Sequence, residues 1–204
     1  MSTESRKLLI ATHNSGKYNE LKGLFAGLSI DLQSLSDFKI VSEVEETGST
    51  FAENARLKAR SYAMQTGIVA LADDSGLEVE ALDGRPGVFS ARYGGDKAGF
   101  AEKMSKLLYE LDRAGDEDRR ARFVCAIAIA DASGDVLHTI EGICTGRIAE
   151  KPRGSGGFGY DPLFVPEGFD QTFGELPDEI KQEISHRARA FNEIIPFLLD
   201  FIAV

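Results

Sequence analysis

Hydrophobic and polar positions predict a strand, a loop and a helix at the start of the chain. Lys7–Thr12 contains the apolar run Leu-Leu-Ile-Ala, which is typical of a short buried strand. His13–Lys17 holds Asn, Ser and Gly, which favour a turn. Beyond this loop, Tyr18, Leu21 and Leu24 recur at the spacing of one helix face.

A second helix is predicted from its start and stop signals. Thr50-Phe-Ala-Glu53 fits a capping box, in which the Thr and Glu side chains satisfy each other's free backbone donors. We expect this helix to reach about Thr66 and to stop at Gly67. A stripe of small residues along it would allow close packing against a neighbour: Ala52, Ala55, Ala59 and Ala63.

Two acidic residues follow the next apolar run. Ile68–Ala72 predicts a buried strand, and the polar segment Asp73-Asp74-Ser75-Gly76 follows it abruptly. Leu77, Val79 and Ala81 then alternate with glutamates, which indicates a half-exposed strand.

The middle of the chain predicts a helix followed by a hairpin. Ala98–Ala114 has apolar residues at helical spacing. Phe123–Ala130 and Val136–Cys144 are typical of antiparallel strands joined by a turn at 132–135.

The end of the chain predicts helices. Helical sequence begins near Asp178, with a break or a new cap near Ser185, and Pro196 is expected to kink or interrupt the last helix because it lacks a backbone donor. Taken in order, the elements predict an α/β fold with a mixed sheet. In such sheets ligands tend to bind at loops beyond the carboxyl ends of the strands.

Composition and charge restrict the class of partner. The chain has 204 residues, which fits one large domain or two intimate lobes. Its net charge of -10 opposes binding to a nucleic-acid backbone, whose affinity comes largely from Lys and Arg. A small anionic ligand stays compatible with this charge, since it needs only a local cluster of basic groups.

The cysteines and the start of the chain indicate the compartment. Cys125 and Cys144 lie in apolar, strand-like runs without a CxxC or Cys/His cluster, so we expect buried thiols rather than a disulfide or a metal site. Residues 1–7 are polar and the run Leu8–Thr12 is too short for a signal core or a membrane span. A cytoplasmic location is therefore expected.

Thr12-His-Asn-Ser-Gly-Lys17 is the first candidate site. A loop between a strand and a helix presents backbone N–H groups and the positive end of the helix dipole to an anion. Gly16 permits close approach and Lys17 adds a positive charge, although the segment does not match a Walker A motif. The alternative is a capped helix start with a solvated lysine.

Carboxylates form the second and third candidates. Asp73 and Asp74, at the end of a buried strand, repel each other and lose hydration, which a hard cation such as Mg²⁺ would offset. The alternative is a turn in which both side chains bond to the backbone. Glu45 and Glu46, before the second helix, could supply a further metal carboxylate or simply favour the helix dipole.

Two later segments could bind a base. Gly156-Gly-Phe-Gly-Tyr-Asp-Pro162 embeds two aromatic rings among glycines, and a purine stacks well on such a ring. Lys181, His186 and Arg187 offer donors that could bond to a carbonyl oxygen on a base. The alternatives are a tight surface loop with buried aromatics and a charged helix surface.

These segments, in this order, resemble the inosine triphosphate pyrophosphatase family, whose members are XTP/dITP diphosphatases. The matching stretches run from residue 11 to residue 187 and are 11–17, 45–48, 51–59, 72–77, 86–93, 156–162 and 185–187. The resemblance implies a mixed α/β fold with two lobes around a substrate cleft, usually as a homodimer. It also implies Mg²⁺-dependent hydrolysis of ITP, dITP and XTP to the monophosphate and pyrophosphate, which removes deaminated purines from the nucleotide pool.

The resemblance also implies roles for particular residues. The triphosphate would be held by Thr12, His13, Asn14, Ser15, Gly16 and Lys17. Glu45 and Asp74 would be metal ligands, Asp74 would accept a proton, and Ser75 would touch the substrate. Base recognition would come from Phe158, Gly159, Tyr160, Asp161, Lys181, His186 and Arg187. Lys58 and Arg92 would add positive charge along the phosphate path.

Selectivity is expected to depend on position 6 of the purine. Hypoxanthine and xanthine carry an acceptor oxygen there, whereas adenine carries a donor amine, so donors from His186 and Arg187 would favour the former. Two rival functions stay open: a Maf-like pyrophosphatase for pyrimidine or modified nucleotides, and a nucleotide-sensing module without turnover. The Gly-Phe-Gly-Tyr-Asp segment favours the purine enzyme over the first, and the Asp-Asp pair argues against the second.

Overall fold

The computed structural model describes residues 6–95, 97–115 and 119–203. Its α-helices are α1 (Ser15–Leu24), α2 (Phe51–Thr66), α3 (Phe100–Ala114), α4 (Asp178–Ile184) and α5 (His186–Ala203). Its strands are β1 (Lys7–Ile10), β2 (Asp31–Ser34), β3 (Ala70–Val79), β4 (Arg120–Ala130), β5 (Val136–Ile148) and β6 (Phe164–Pro166).

The six strands form one mixed sheet in the order β2-β1-β3-β4-β5-β6. β1 is parallel to both β2 and β3, with Leu9 opposite Ala70, whereas β5 is antiparallel to β6. The α1 crossover between β1 and β2 and the short 131–135 turn between β4 and β5 account for this mixture. The predicted α/β fold with a mixed sheet is confirmed.

The sequence predicted the limits of several helices. Thr50 caps α2 by accepting a hydrogen bond from the backbone N–H of Glu53 at 3.1 Å, and α2 ends at Gly67, whose φ of 71° suits glycine. The carboxylate of Glu53 accepts from the backbone N–H of Ser49 at 2.7 Å, one residue before the partner that the capping box predicts. The predicted break at Ser185 is also confirmed, because α4 and α5 meet there.

Three features go beyond the sequence analysis or differ from it. The alternative interpretation of Asp73–Gly76 as a turn is wrong, since β3 continues through it from Ala70 to Val79. Pro196 does not interrupt the last helix, which runs from residue 186 to residue 203 around it, and a kink there stays a prediction. The short strands β2 and β6 were not predicted, because four and three residues are too few for a clear period-2 pattern.

The chain divides into two compact units. The first comprises residues up to Asp74, Cys125–Gly142 and residues from Arg187 onwards. In its core, α1 and α5 pack on strands β1, β3 and β4 through buried apolar residues, among them Leu21, Phe191, Ile10, Leu71 and Ile127.

The second unit comprises Ser75–Val124 and Ile143–His186. Its core joins the second half of β3 and the first half of β4 to α3, and it includes Leu77, Leu107 and Phe123. Phe123 lies beside the rings of Phe164 and Phe173, with centroid distances of 4.6 Å and 6.4 Å, so an aromatic cluster fills this core. In the part of the chain that the structure describes, no helix is long and apolar enough to cross a membrane.

The two thiols are expected to resist modification in the native protein. Cys125 and Cys144 are buried thiols, and burial raises the pKa of Cys125 to about 12, so almost no thiolate forms at neutral pH. We expect Ellman's reagent at pH 8 to modify neither thiol in minutes under native conditions and both after denaturation. Rapid modification of a native thiol would contradict the burial.

Candidate active site

The loop before α1 is folded by its own side chains. The hydroxyl of Thr12 accepts a hydrogen bond from the backbone N–H of Asn14 at 3.2 Å, and the Asn14 side chain caps α1 by accepting from the N–H of Lys17 at 3.1 Å. His13, Asn14 and Ser15 are exposed, whereas Gly16 and Lys17 are half-buried. The first turn of α1 thus presents the N–H groups that an anion binds at a helix start.

Lys17 is not the solvated lysine of the alternative interpretation, because its ammonium lies 3.1 Å from Asp73 Oδ2. Arg187 also contacts this oxygen, through Nη2 at 3.2 Å, and its Nη1 pairs with Glu20 on α1. Arg187 is only 1 % exposed and Asp73 is equally buried. The first unit therefore contains a buried network of two cations and two carboxylates.

This network keeps Asp73 ionised. Burial raises the pKa of a carboxyl group, but here the charges of Lys17 and Arg187, with a contribution from Lys58, outweigh burial and hold the pKa of Asp73 well below its usual range. A permanently charged Asp73 is thus available to hold the Lys17 ammonium at the first turn of α1.

Asp74 has a separate set of partners in the same unit. Its Oδ1 lies 3.1 Å from the ammonium of Lys58, and its Oδ2 accepts from the side-chain amide of Asn54 at 3.2 Å. Lys58 also contacts Glu46 Oε1 at 2.6 Å, so one ammonium bridges two carboxylates. Because Asn54 and Lys58 are one turn apart on α2, one helix face supplies both contacts.

The two consecutive carboxylates differ in their affinity for a proton. Burial raises the pKa of Asp74, the negative charge of Glu46 adds to this, and Lys58 offsets only part of the increase. The pKa of Lys58 is raised, because Asp74, Asp73 and Glu46 together outweigh the effect of its burial. Asp74 is therefore the better proton acceptor of the pair.

Glu45, the predicted metal ligand, is exposed in the segment before α2. Its neighbour Glu46 is the glutamate that the structure links to Asp74, through Lys58. Within the described ranges, no three His, Cys, Asp or Glu side chains form a group that could hold a metal ion.

Predicted base-binding residues meet in the second unit. The ammonium of Lys181 lies 2.5 Å from Asp161 Oδ2 and 4.7 Å from the centroid of the Phe158 ring. The same Asp161 oxygen accepts from the backbone N–H of Phe158 at 2.7 Å. Asp161 and Lys181 are buried, so the surface-helix interpretation of Lys181 is wrong.

The remaining residues of this group are held by the aromatic core. Tyr160 is buried, donates to the carbonyl of Ser90 at 3.0 Å and packs edge-on against Phe100. The buried imidazole of His186 stacks on Phe123 with centroids 4.7 Å apart and planes 16° apart. Ser75 is half-buried and Gly159 adopts a positive φ of 69°.

Gly157 is expected to be essential for the Asp161 contact. It has a φ of 69°, and a Cβ there would overlap the Asp161 carboxylate. Gly157→Ala should therefore destabilise the protein by about 1–3 kcal/mol and weaken substrate binding. The matched control is Gly168→Ala, which has a φ of 85° and no neighbouring atom within 4 Å. Equal losses of stability in the two variants, measured by urea unfolding, would show that the overlap has no effect.

Comparison with known proteins identifies the family of the chain. The sequence model of the Ham1 family matches residues 8–197. The chain belongs to the Ham1 family. The chain is 46 % identical to a protein of Bacillus licheniformis named dITP/XTP pyrophosphatase, and the alignment covers 95 % of this chain and 98 % of the relative. It is 49 % identical to a protein of the same name from Geobacillus kaustophilus, with 93 % of this chain and 92 % of the relative covered.

Solved structures of Ham1 proteins share the fold. The HAM1 protein of Coxiella burnetii superposes with a TM-score of 0.88 at 43 % identity, covering 96 % of this chain and 99 % of that one. The Ham1 protein of Staphylococcus aureus gives a TM-score of 0.85 at 40 % identity, covering 96 % and 100 %.

Two residues of this Ham1 chain contact the site but were not predicted from the sequence, Glu20 and Asn54. Glu46 and Asp73 were predicted as candidate metal carboxylates, but their contacts were not: Glu46 contacts Lys58, and Asp73 joins Lys17 to Arg187. A weak signal exists for the two missed residues. Glu20 lies three residues after Lys17, and Asn54 lies four residues before Lys58, so each shares a helix face with a predicted residue.

Proposed function

We propose that the chain hydrolyses deaminated purine nucleoside triphosphates (ITP, dITP and XTP) to the monophosphate and pyrophosphate. The observation that carries the proposal is the convergence of Lys17 and Lys58 on the consecutive carboxylates Asp73 and Asp74. This places positive charge for phosphates beside a buried proton acceptor. Relatives named dITP/XTP pyrophosphatase, alike over nearly the whole chain, support the choice of substrate.

The triphosphate is held by the loop Thr12–Lys17. The N–H groups at the start of α1 and the Lys17 ammonium offer hydrogen bonds and positive charge to phosphate oxygens. Lys58 neutralises further negative charge, including that which develops on the departing pyrophosphate. The contribution predicted for Arg92, which is exposed and lies over the Phe89 ring, stays a prediction.

Mg²⁺ fits the donor chemistry beside Asp74. The carboxylates of Asp74 and Glu46 already surround one positive charge, the Lys58 ammonium, and Mg²⁺ is commonly bound by one or two carboxylates together with substrate phosphates. We propose that Asp74 and a glutamate of the segment before α2, either Glu45 or Glu46, would hold it. The ion would supply charge neutralisation at the phosphates.

Asp74 accepts a proton from the attacking water. The water oxygen bonds to the α phosphorus, the bond from that phosphorus to the bridging oxygen breaks, and pyrophosphate leaves with the bonding electrons. The raised pKa of Asp74 makes it a stronger base than an exposed aspartate. Asp73, held ionised by its cations, keeps Lys17 in place during this step.

In the second unit, Lys181, Phe158 and Asp161 form the group that we propose contacts the base. The Lys181 ammonium is a donor suited to a base oxygen, and its position over the Phe158 ring restrains it. The roles of Ser75, Gly159, Tyr160, His186 and Arg187 in recognition stay predictions.

The first test is pyrophosphate release from ITP, XTP, GTP, ATP and dTTP, each with and without Mg²⁺. We expect metal-dependent release from ITP and XTP well above that from ATP. Release from dTTP alone would favour a pyrimidine pyrophosphatase, and binding without release would favour a nucleotide sensor.

We further propose that the enzyme acts in the cytoplasm as a homodimer. The cytoplasm is the compartment of the nucleotide pool that the reaction would clear, and two buried thiols suit a reducing environment. Light scattering should give a mass twice the 22.2 kDa of the chain. A mass of one chain at micromolar concentration would contradict the dimer.

A further inference from the structure

Asn54 has a fully buried side-chain amide that makes hydrogen bonds through both its nitrogen and its oxygen within the first unit. It lies in the first turn of α2 with an exposure of 0 %. Its Nδ2 donates to Asp74 Oδ2 at 3.2 Å, and its Oδ1 accepts from the backbone N–H of Gly48 at 2.7 Å. A single side chain thus joins Asp74 to the segment that carries Glu45 and Glu46.

The contact at Gly48 is closely fitted. A Cβ at residue 48 would lie 2.7 Å from Asn54 Oδ1 and 2.7 Å from the Cβ of Glu53, so a larger residue there would displace the amide. A buried amide group that loses a hydrogen-bond partner is left without either water or protein to bond, which costs free energy. The two hydrogen bonds of Asn54 are therefore expected to form together. The position of the 45–48 segment is therefore coupled to the position of Asp74.

The two oxygens of Asp74 are divided between two residues of α2. Lys58 contacts Oδ1, and Asn54 contacts Oδ2. With both contacts in place, the carboxylate plane is fixed relative to α2. Without Asn54, the carboxylate could rotate about its bond to Cβ while still contacting Lys58 through either oxygen.

We propose that Asn54 is a positioning residue, which orients the Asp74 carboxylate toward the attacking water and holds the glutamate segment beside it. This inference rests on the proposed role of Asp74 as proton acceptor. Asn54 acts through Asp74 and does not touch the substrate, so its loss lowers kcat and leaves KM nearly unchanged. A displacement of about 1 Å of a reacting group can lower a rate about 100-fold, which sets the scale of the effect.

Two substitutions at residue 54 separate its two bonds. Asn54→Ala removes both, whereas Asn54→Asp keeps the acceptor for the Gly48 N–H and replaces the donor to Asp74 by a carboxyl oxygen, which also adds a negative charge beside Asp74. We expect both variants to lower kcat for ITP about 10- to 100-fold with KM within about threefold of wild type. Gly48→Ala, which displaces the amide from the other side, should lower kcat in the same direction.

A combination with Asp74→Asn distinguishes positioning from a general loss of structure. Because Asn54 acts through the Asp74 carboxylate, Asn54→Ala should change the residual kcat of Asp74→Asn by less than about twofold, even though both single substitutions are costly. A purely structural role would lower kcat by the same factor in both backgrounds. That outcome would overturn the proposal.

Hydrogen exchange at the Gly48 amide provides a readout that needs no turnover. We expect this amide to be protected in wild type and Asn54→Asp, and unprotected in Asn54→Ala. If wild type releases pyrophosphate and Asn54→Ala has a normal kcat, the positioning role is refuted and the proposed function is not. If wild type releases no pyrophosphate, the proposed function is refuted. Hydrogen exchange then still tests the second part of the proposal, because protection of the Gly48 amide in Asn54→Ala would refute the claim that Asn54 holds the segment.

Discussion

Asp74→Asn is expected to lower kcat for ITP by about 10²–10⁴-fold, the usual contribution of a general base. Asparagine has the same shape, but it cannot take a proton from water, and its one oxygen can accept from Asn54 or from Lys58 and not from both. Some stability should also be lost, because Lys58 keeps only Glu46 as a carboxylate partner. Steady-state pyrophosphate release and thermal unfolding measure the two effects separately.

Glu45→Gln and Glu46→Gln provide matched comparisons for this variant. Each removes one carboxylate of the same segment, and only Glu46 is linked to Asp74 through Lys58. If Glu46 shares the cation with Asp74, Glu46→Gln should raise the Mg²⁺ concentration for half-maximal activity more than Glu45→Gln. Full activity of Asp74→Asn would exclude it as the proton acceptor, whatever the two glutamates do.

The positions of the helices could be read from the sequence because their signals are local. Thr50 and Gly67 delimit α2 through contacts within a few residues, and the break at Ser185 is equally local. The course of β3 through Asp73 and Asp74 could not be read in this way. Adjacent acidic residues favour a turn by their own propensity, and partners distant in sequence, from Lys17 to Arg187, offset their charge in the strand.

In the candidate site, too, local features could be predicted from the sequence and contacts between distant residues could not. Residue types and spacing identified Lys17, Asp74 and Lys181, but they could not show which charges pair. Asp73 and Arg187 are 114 positions apart in the sequence, and Lys181 and Asp161 are 20 positions apart. A pattern along the chain carries no information about such partners, so Arg187 was predicted as a donor to the base without its contacts to Glu20 and Asp73.

The charge network around Asp73 has a consequence for stability in acid. The pKa of Asp73 is lower in the folded protein than in the unfolded chain, so its ionisation stabilises the fold above the unfolded value of about 3.9. This stabilisation is lost as the pH falls through the folded pKa. The stabilisation from this network is therefore fully present near neutral pH.

Arg187→Met is expected to destabilise the protein by about 3–5 kcal/mol, the usual cost of removing one partner from a buried ion pair. Asp73 would keep Lys17 but lose its second cation, and Glu20 would lose the guanidinium. For a chain of this length the loss corresponds to a fall in Tm of roughly 6–20 °C, which calorimetry can measure. Arg187→Lys should recover part of the loss, because it restores the charge without the planar fork.

The same substitution decides whether Arg187 also recognises the base. Loss of stability alone would lower activity with ITP and ATP by the same factor, whereas loss of a donor to the 6-oxygen would lower the ratio of their kcat/KM values. Adding Glu20→Gln to Arg187→Met neutralises the carboxylate that has lost the guanidinium, while Asp73 keeps Lys17, so part of the stability should return. If the preference for ITP stays low in this restabilised double variant, the guanidinium recognises the base. An unchanged preference would restrict Arg187 to holding Asp73 and Glu20, and would leave base selection to the Lys181 group of the second unit.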